Sequence, residues 1–320
     1  MTKPKVLFTG ELTPAVVETL SQDFEVTYPK DHPYTRAELL AALPGQEALV
    51  FFGYQVDQEL VDAGKDLKVI ATCSVGFDHI DLNYTREKGI VVANTPESVR
   101  VPTAEMALAL MLDVTRNIMP LDDKMHAGEW TPMTNPANHA TSVQGKTLGI
   151  FGMGRIGKTM AQFGQMLGMN VIYHNRHQLA PEAETAANVK YVTFEELVQQ
   201  ADVLSLHAPA TTETTHIINA DVFKQMKNSA FLINVARGAL VNTSDLADAL
   251  KQHEIAGAGL DVFENEPEVP MALTGFNNVV MTPHAGTGTV EAQTAIFEEA
   301  VSNVRAALAG QPTNVVNGMK

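Results

Sequence analysis

The chain has 320 residues, which suits about two domains, and its 45% hydrophobic and 18% charged residues are typical of a folded globular protein. Its formal net charge of −15, with no large basic block, argues against nucleic acid or an anionic membrane surface as a partner. One cysteine excludes an internal disulfide framework, and the first residues lack the apolar segment of a secretory signal, so we expect a cytoplasmic protein.

Short apolar runs alternate with helical patterns through the first hundred residues. The predicted strands are KVLFT (5–9), FEVTY (24–28), ALVFF (48–52), KVIAT (68–72) and IVVAN (90–94). Strands that alternate with helices in this way are typical of parallel βαβ units. The pattern therefore predicts one doubly wound α/β domain.

The pattern breaks after a predicted helix from about Pro102 to Asn117, where a polar segment (121–145) has no clear period. A second series of strands follows: TLGIF (147–151), NVIYH (170–174), DVLSL (202–206), AFLIN (230–234), GAGLD (257–261) and NVVMT (278–282). An amphipathic last helix ends at Gly310. We expect a second doubly wound sheet, and ligand sites beyond the carboxyl ends of the strands, in the crevice between two domains.

A glycine-rich turn follows the first strand of the second series. Gly152, Gly154 and Gly157 form a G-x-G-x-x-G pattern that comes after a strand and opens a helix, which is the context of a dinucleotide site. The first glycine permits a tight turn, the second lets the backbone approach a pyrophosphate, and the third lets helix and strand pack closely. The helix N-terminus, with Arg155 and Ile156 on its first turn, attracts the phosphates.

The stretch YHNRH (173–177) occupies the place, about 20 residues past the glycines, where an acid usually binds the adenosine ribose. Asn175 stands there, followed by Arg176. An acid would repel a 2′-phosphate, whereas Asn175 removes the repulsion and Arg176 offers a charge-assisted contact. With His174 and His177 as auxiliaries, the stretch favours NADP(H) over NAD(H). The alternative is that these are ordinary solvated residues at a strand end.

Three later segments place chemically active side chains just past predicted strands. They are INVARGAL (233–240), GLDVFENEP (259–267) and MTPHAG (281–286). They contain Arg237, the carboxylates Asp261, Glu264 and Glu266, and His284. An arginine that binds a carboxylate, and a histidine that a glutamate orients as a general acid, suit the reduction of a 2-keto acid.

These motifs, taken together and in this order, closely resemble the D-isomer-specific 2-hydroxyacid dehydrogenase family. The resemblance also extends to TCSVGFDHID (72–81), NTPESV (94–99), PTAEMALALML (102–112) and LHAPATTET (206–214), so it covers nearly the whole chain. It implies that Arg237, Glu266 and His284 are the catalytic residues, with Arg237 binding the substrate carboxylate. None of the three is substituted.

The resemblance also implies the binding residues. Backbone N–H groups of Val75 and Gly76 are expected to bind the substrate carboxylate. From its place at the end of ALVFF, either Phe52 or Tyr54 is expected to limit the size of the substrate, with core packing as the alternative for both. The cofactor residues that it implies beyond the glycine turn and YHNRH are Thr103, His207, Pro209 and Asp261, together with His284. For His207, a structural histidine that ends a strand is the alternative. No metal ligand is expected.

For the domains, the resemblance implies that residues 1–100 and 288–320 form a flavodoxin-like substrate domain and that 101–287 form an inserted Rossmann cofactor domain, with an interdomain cleft. It also implies a homodimer joined through the cofactor domain, with the helix around Met106–Val114 contributing.

Within the family, YHNRH is similar to the NADPH-preferring glyoxylate, hydroxypyruvate and 2-ketogluconate reductases, so we expect a small 2-keto acid as substrate. D-lactate dehydrogenase and short-form phosphoglycerate dehydrogenase are the alternatives among the enzymes. A dinucleotide-sensing regulator, similar to the corepressors of this family, is the alternative outside them.

Overall fold

The strands of the computed structural model, which describes residues 2–319, form two separate parallel sheets. The chain divides into two units. One contains the residues up to Val99 and those from Thr289 onward, and the other contains Arg100–Gly288.

The first unit holds a five-stranded sheet. Its strands are β1 (Lys5–Phe8), β2 (Glu25–Thr27), β3 (Ala48–Phe51), β4 (Val69–Thr72) and β5 (Val91–Ala93), and the helices between them are α1 (Pro14–Leu20), α2 (Arg36–Ala42), α3 (Gln58–Ala63) and α4 (Leu82–Glu87). The strand order is β2-β1-β3-β4-β5 with every pair parallel. This is the flavodoxin-like order, as the fold class predicted.

Local sequence explains these elements. The central strands β3 and β4 are buried along their whole length, which is why they read as continuous apolar runs without alternation. Side chains cap all four helices at their first turn: Thr13, Thr35, Asp57 and Asp81 each accept a hydrogen bond from a backbone N–H.

The second unit holds a seven-stranded parallel sheet. Its strands are β6 (Thr147–Phe151), β7 (Asn170–His174), β8 (Lys190–Tyr191), β9 (Val203–Leu206), β10 (Phe231–Asn234), β11 (Gly257–Leu260) and β12 (Val279–Met281), and its helices are α5 (Arg100–Arg116), α6 (Ile118–His126), α7 (Arg155–Met166), α8 (Pro181–Ala187), α9 (Phe194–Gln200), α10 (Ala220–Phe223) and α11 (Thr243–Lys251). The order β12-β11-β10-β9-β6-β7-β8 contains the Rossmann arrangement and reverses direction between β6 and β9. Ligands of such sheets bind at this reversal.

Two elements of this unit differ from the sequence prediction. The strand β8 has only two residues and lies at the edge of the sheet, too short for a periodic signal. The helix α6 continues into the segment that reads as irregular, and none of its residues is buried.

The last helix, α12 (Val290–Leu308), belongs to the first unit. Its buried residues Ala300, Val301 and Val304 pack in one apolar cluster with the strands β1, β3 and β4. The amide of Asn303 donates to the carbonyl of Asn94 at 2.8 Å, just after β5.

Among residues 2–319, no helix is both long and apolar enough to cross a membrane.

Candidate active site

The glycine turn between β6 and α7 leaves no space for side chains at two of its three glycines. Gly152 has a φ of +102°, and a Cβ atom there would lie 2.6 Å from the backbone of His207 and Ala208. A Cβ on Gly157 would lie 2.2 Å from the carbonyl oxygen of Gly152. The close packing of helix, turn and neighbouring strand therefore requires glycine at both positions.

Gly154, in contrast, faces open space, because a Cβ there would have no heavy atom within 4 Å. It is the N-cap of α7, so no side chain caps this helix. The first N–H groups of a helix have no intrahelical acceptor and attract anions. An open, uncapped helix start at the reversal of the strand order fits the pyrophosphate of a dinucleotide.

The side chain of Asn175 is oriented by this turn. Its Oδ1 atom accepts a hydrogen bond from the backbone N–H of Met153 at 2.6 Å. Its Nδ2 group has no acceptor in the part of the chain that the structure describes. The amide thus uses its acceptor to hold the glycine turn and keeps a donor for a ligand.

Arg176 and His177 are exposed beyond the end of β7. Glu213, in the loop after β9, is close enough to Arg176 to interact with it electrostatically. A hydrogen bond from Thr211 chiefly holds the pKa of Glu213 below its ordinary value, and the charge of Arg176 acts in the same direction. The acidic side chain of Glu213 therefore lies near Arg176, the cation that was predicted to bind a 2′-phosphate.

His174 is engaged within its own unit. Its ring stacks on Phe151 with centroids 6.1 Å apart and also contacts Tyr191 and Phe194. Its Nδ1 atom lies 2.9 Å from the carbonyl oxygen of Val192. The ring thus packs among the strand ends with its Nδ1 atom engaged, and its role as an auxiliary for a phosphate stays a prediction.

His207 lies on the other side of the reversal, at the end of β9. Its Nε2 atom is 2.8 Å from the hydroxyl of Ser205, and its buried Nδ1 atom has no hydrogen-bond partner among the described residues. Burial lowers the pKa of His207 to about 3, so its ring is neutral at physiological pH. Pro209, two residues on, is exposed, and its carbonyl accepts a hydrogen bond from Thr214 at 2.8 Å.

A histidine and a glutamate form a close pair past the strands β11 and β12. The Nδ1 atom of His284 lies 2.7 Å from Oε2 of Glu266, and His284 adopts a left-handed backbone with a φ of 52°. The hydrogen bond to Glu266 raises the pKa of His284 above its ordinary value, against the opposing effect of burial. Burial acts to raise the pKa of Glu266, but hydrogen bonds from His284 and the Phe263 N–H outweigh it and lower that pKa.

Arg237 follows β10, the neighbour of β11 in the sheet. Its Nη1 donates to the carbonyl of Ala236 at 2.7 Å, and its charge lowers the pKa of both His284 and Glu266. Arginine, glutamate and histidine are thus brought together at one edge of the second unit.

Asp261 holds the loop that carries His284. Its side chain is 1% exposed. Oδ1 accepts hydrogen bonds from the Thr282 hydroxyl at 2.6 Å and from Ala285 N–H at 2.7 Å, and Oδ2 accepts one from Gly286 N–H at 2.8 Å. Thr103 lies beside this loop, because a Cβ on Gly286 would come within 3.6 Å of its methyl group.

In the first unit, the loop after β4 presents unused backbone donors. The Ser74 hydroxyl donates to the carbonyl of Gly76 at 2.7 Å, and the Asn94 amide donates to the carbonyl of Val75 at 2.8 Å. Within residues 2–319, the N–H groups of Val75 and Gly76 have no acceptor. Consecutive free N–H groups in a fixed loop form a site for an anion such as a carboxylate.

Of the two aromatic residues expected to limit the substrate, Tyr54 is engaged within the first unit. Its hydroxyl donates to the carbonyl of Tyr34 at 2.6 Å, and its ring packs against the apolar core. Phe52 is 66% exposed at the end of β3, next to the strand that leads to Val75. Phe52 is therefore the better placed of the two to contact a ligand.

No group of three or more His, Cys, Asp or Glu side chains among the described residues is arranged to hold a metal ion.

Residues 108–286 match the family model of the NAD binding domain of D-isomer specific 2-hydroxyacid dehydrogenases. The glyoxylate reductase of Thermococcus litoralis is 40% identical to this chain, and the alignment covers 98% of this chain and 97% of that protein. This chain belongs to the D-isomer-specific 2-hydroxyacid dehydrogenase family. It is an NAD(P)-dependent oxidoreductase.

Solved structures of family members resemble the whole chain. A glyoxylate reductase from Paecilomyes thermophila is 34% identical, covers 100% of both chains and superimposes with a TM-score of 0.90. The NADPH-dependent glyoxylate/hydroxypyruvate reductase from Sinorhizobium meliloti, solved with NADP and malonate, is 32% identical with a TM-score of 0.86 and covers 98% of this chain and 97% of that one.

Several residues near the family's site were not predicted from the sequence in the roles that the structure shows. They are Asp261 as the anchor of the His284 loop, Ser205 as the partner of His207, Glu213 beside Arg176, and His216, which pairs with Glu264. Apart from the acid at the end of GAGLD, none of them stands in a local pattern that signals its partner.

Proposed function

We propose that this protein reduces a small 2-keto acid, such as glyoxylate or hydroxypyruvate, to the D-2-hydroxy acid, with NADPH as the preferred reductant. The observation that carries the proposal is the His284–Glu266 pair at 2.7 Å, close to Arg237 at the carboxyl edge of a dinucleotide-binding sheet. The likeness to glyoxylate reductases over nearly the whole chain supports the same substrate class.

The contacts of the three side chains support the roles that we propose for them. Arg237 binds the substrate carboxylate and polarises the keto group. Because Nδ1 of His284 is bonded to Glu266, Nε2 is the ring atom that remains to donate a proton to the keto oxygen. The ionised Glu266 orients the imidazole and keeps it protonated near neutral pH. When bound, the dinucleotide supplies the hydride to the keto carbon, so hydride and proton together complete the alcohol.

For the cofactor, Gly152, Gly154 and Gly157 would hold the pyrophosphate, together with the backbone of Arg155 and Ile156 at the start of α7. Thr103, His207 and Pro209 would line the cofactor site, and Asp261 would lie at the nicotinamide carboxamide. Burial keeps the ring of His207 neutral, so it would suit an uncharged part of the cofactor.

The preference for NADPH is part of the proposal. The free amide donor of Asn175 and the exposed guanidinium of Arg176 suit a 2′-phosphate, and neither would repel it. The relative from Sinorhizobium meliloti, which is NADPH-dependent and was solved with NADP, supports this reading.

On the substrate side, the free N–H groups of Val75 and Gly76 would bind the substrate carboxylate, and Phe52 would favour a small apolar or hydroxymethyl group on the keto carbon. Tyr54, whose hydroxyl already donates to the carbonyl of Tyr34, would limit the size of the substrate with its ring.

The test is a matrix of kcat/KM values for glyoxylate, hydroxypyruvate and pyruvate, each with NADPH and with NADH. The expected result is turnover of at least one small 2-keto acid with NADPH favoured, and loss of turnover in His284→Ala with dinucleotide affinity retained. Dinucleotide binding without turnover of any 2-keto acid would contradict the proposed reductase activity and favour a dinucleotide-sensing regulator.

We also propose a homodimer through the second unit. Five large apolar side chains are exposed in and after α6: Ile118, Met119, Met125, Trp130 and Met133. Large apolar side chains exposed within one short segment are a feature of interfaces, and a second copy of the chain is the partner that we propose. Light scattering should give twice the mass of the chain, and Met119→Asp combined with Trp130→Asp should reduce it to one chain.

A further inference from the structure

A second histidine–carboxylate pair joins the loop that carries Glu266 to the loop after β9. The Nε2 atom of His216 is 2.5 Å from Oε1 of Glu264, and both side chains are partly buried. We propose that His216 and Glu264 are positioning residues that hold the loop 262–266 so that Glu266 meets His284. This inference rests on the proposed function, because it concerns the general acid of the reduction.

Glu264 connects its own loop to the loops after the two preceding strands of the sheet. Its Oε1 atom contacts His216, which follows β9, and its Oε2 atom accepts a hydrogen bond at 2.7 Å from the N–H of Thr243, the first residue of α11, which follows β10. An orphan N–H of a helix start is thus satisfied by a carboxylate from another loop. Both oxygens of Glu264 are used between loops, so the side chain acts as a bridge.

The backbone of His216, the partner of Glu264, is held in place by hydrogen bonds. His216 adopts a left-handed backbone with a φ of 52°. Its N–H donates to the carbonyl of Ala239 at 2.8 Å, and its carbonyl accepts a hydrogen bond from the amide of Asn219 at 3.0 Å. The ring therefore projects from a backbone that is fixed on both sides, and its position is set before it meets Glu264.

Glu264 lies two residues before Glu266 in the same loop, so its position affects the pair of Glu266 and His284. The N–H of Phe263 donates to Oε1 of Glu266 at 2.9 Å, and Oε2 of Glu266 bonds His284. A Cβ on Gly238 would lie 1.9 Å from the carbonyl carbon of Phe263, so this backbone packs directly on the residue after Arg237. In such tight packing, a shift at Glu264 displaces Glu266 and disturbs Arg237 as well.

The charge state of Glu264 suits this role. Burial acts to raise its pKa, but hydrogen bonds from Thr243 and His216 outweigh that effect and lower the pKa below its ordinary value. The carboxylate is therefore ionised at neutral pH, and hydrogen bonds to an ionised acceptor are stronger than those between neutral groups.

The experiment compares His216→Phe, which removes the hydrogen bond, with His216→Gln, which retains a side-chain donor. Lys227→Met is the matched control, because it breaks another ion pair of the same unit, with Asp202 at 2.9 Å. For each variant we would measure kcat, KM, the dissociation constant of NADPH, Tm and the NMR titration of the His284 imidazole.

In His216→Phe we expect kcat to fall on the order of ten-fold or more, as small misplacements of a catalytic group do, with the NADPH dissociation constant unchanged. The apparent pKa of His284 should move down towards its ordinary value, because Glu266 is no longer held beside it. His216→Gln should restore both quantities in large part. Lys227→Met should lower Tm while kcat and the His284 titration stay as in the wild type.

An unchanged kcat and an unchanged His284 titration in His216→Phe would overturn the proposal, and so would equal changes in the Lys227→Met control. Glu264→Ala tests the same bridge from its other end, and its effect should not add to that of His216→Phe. The NMR titration needs no turnover, so the positioning of Glu266 is measurable even if no 2-keto acid is reduced, and the two proposals fail separately.

Discussion

The side-chain oxygen of Asn175 accepts a hydrogen bond from the backbone N–H of Met153 at 2.6 Å. This contact joins the end of β7 to the glycine turn after β6, and it determines which half of the amide remains for a ligand. An aspartate at this position would also accept from Met153, but it would offer a negative charge in place of a donor. The cofactor preference of the protein is therefore testable by a substitution that leaves the turn intact.

Asn175→Asp should lower kcat/KM for NADPH on the order of ten-fold or more, equivalent to about 1.4 kcal/mol, because a carboxylate repels the 2′-phosphate. The value for NADH should hold or rise, since an acid accepts hydrogen bonds from both ribose hydroxyls. Steady-state kinetics with both cofactors measure the change. A wild-type protein that already prefers NADH would contradict our interpretation of YHNRH, while the family assignment would stand.

Glu213→Gln should change the cofactor preference in the opposite direction, towards NADPH. The charge of Glu213 lies near Arg176, so its removal should take away a negative charge that opposes the 2′-phosphate and raise the affinity for NADPH relative to NADH. The gain should shrink as ionic strength increases, because both side chains are exposed. Glu195→Gln, on the helix α9, is the matched control. Equal changes for both cofactors would count against a role for Glu213 in selecting between them.

The reduction rate should fall as the pH rises through the pKa of His284, which lies above the ordinary value of 6.5, because the protonated imidazole is the acid. In Glu266→Gln this alkaline limb should move to lower pH, and kcat should fall on the order of 100-fold. A pH profile of kcat/KM measures both effects. An alkaline limb at the same pH in the variant would refute the role of Glu266.

The same pair makes a contribution to stability that depends on pH. The part from His284, whose pKa is raised on folding, is present below pH 6.5 and is lost as the pH rises through the folded pKa. The part from Glu266, whose pKa is lowered, is present above pH 4.5 and is lost as the pH falls through the folded pKa. The difference in Tm between wild type and Glu266→Gln should therefore be largest between these two pH values and shrink on either side.

Arg237→Lys should reduce kcat/KM for the keto acid about 10- to 100-fold, as expected for the loss of a charge-assisted hydrogen bond of about 1.5–3 kcal/mol. The charge is kept, but a planar fork of donors is replaced by a single ammonium group. Stopped-flow fluorescence should show unchanged binding of NADPH. Activity near that of the wild type would mean that the carboxylate is bound elsewhere.

Gly154→Ala should separate cofactor binding from folding. The new methyl group meets no heavy atom within 4 Å, so the free energy of unfolding should change by about 0.5 kcal/mol or less. The methyl group enters the space where the pyrophosphate approaches the backbone, so the dissociation constant of NADPH should rise on the order of ten-fold or more.

Gly275→Ala is the matched control for this change, because a Cβ at Gly275 also meets no heavy atom within 4 Å. It should alter neither stability nor affinity. If Gly154→Ala bound NADPH as tightly as the wild type, the pyrophosphate would not pass over this turn.

The sequence by itself predicted the two doubly wound sheets, because buried parallel strands must be apolar along their length and the helices between them carry their own caps. It also predicted the glycine turn and a chemistry based on arginine, glutamate and histidine, since each of these stands in a short motif just past a strand. The edge strand β8 and the helix α6 were not predicted, because the first is too short and the second buries no residue.

Only the tertiary structure decided how side chains from distant segments meet. The pair His216–Glu264 joins residues 48 positions apart, and Asp261 bonds backbone groups 24 and 25 positions away. Such contacts depend on the order of the strands in the sheet, which places the loops after β9, β10 and β11 side by side. Local sequence specifies which groups are present, while the distances that set their pKa values and their hydrogen bonds arise from the packing of the sheet.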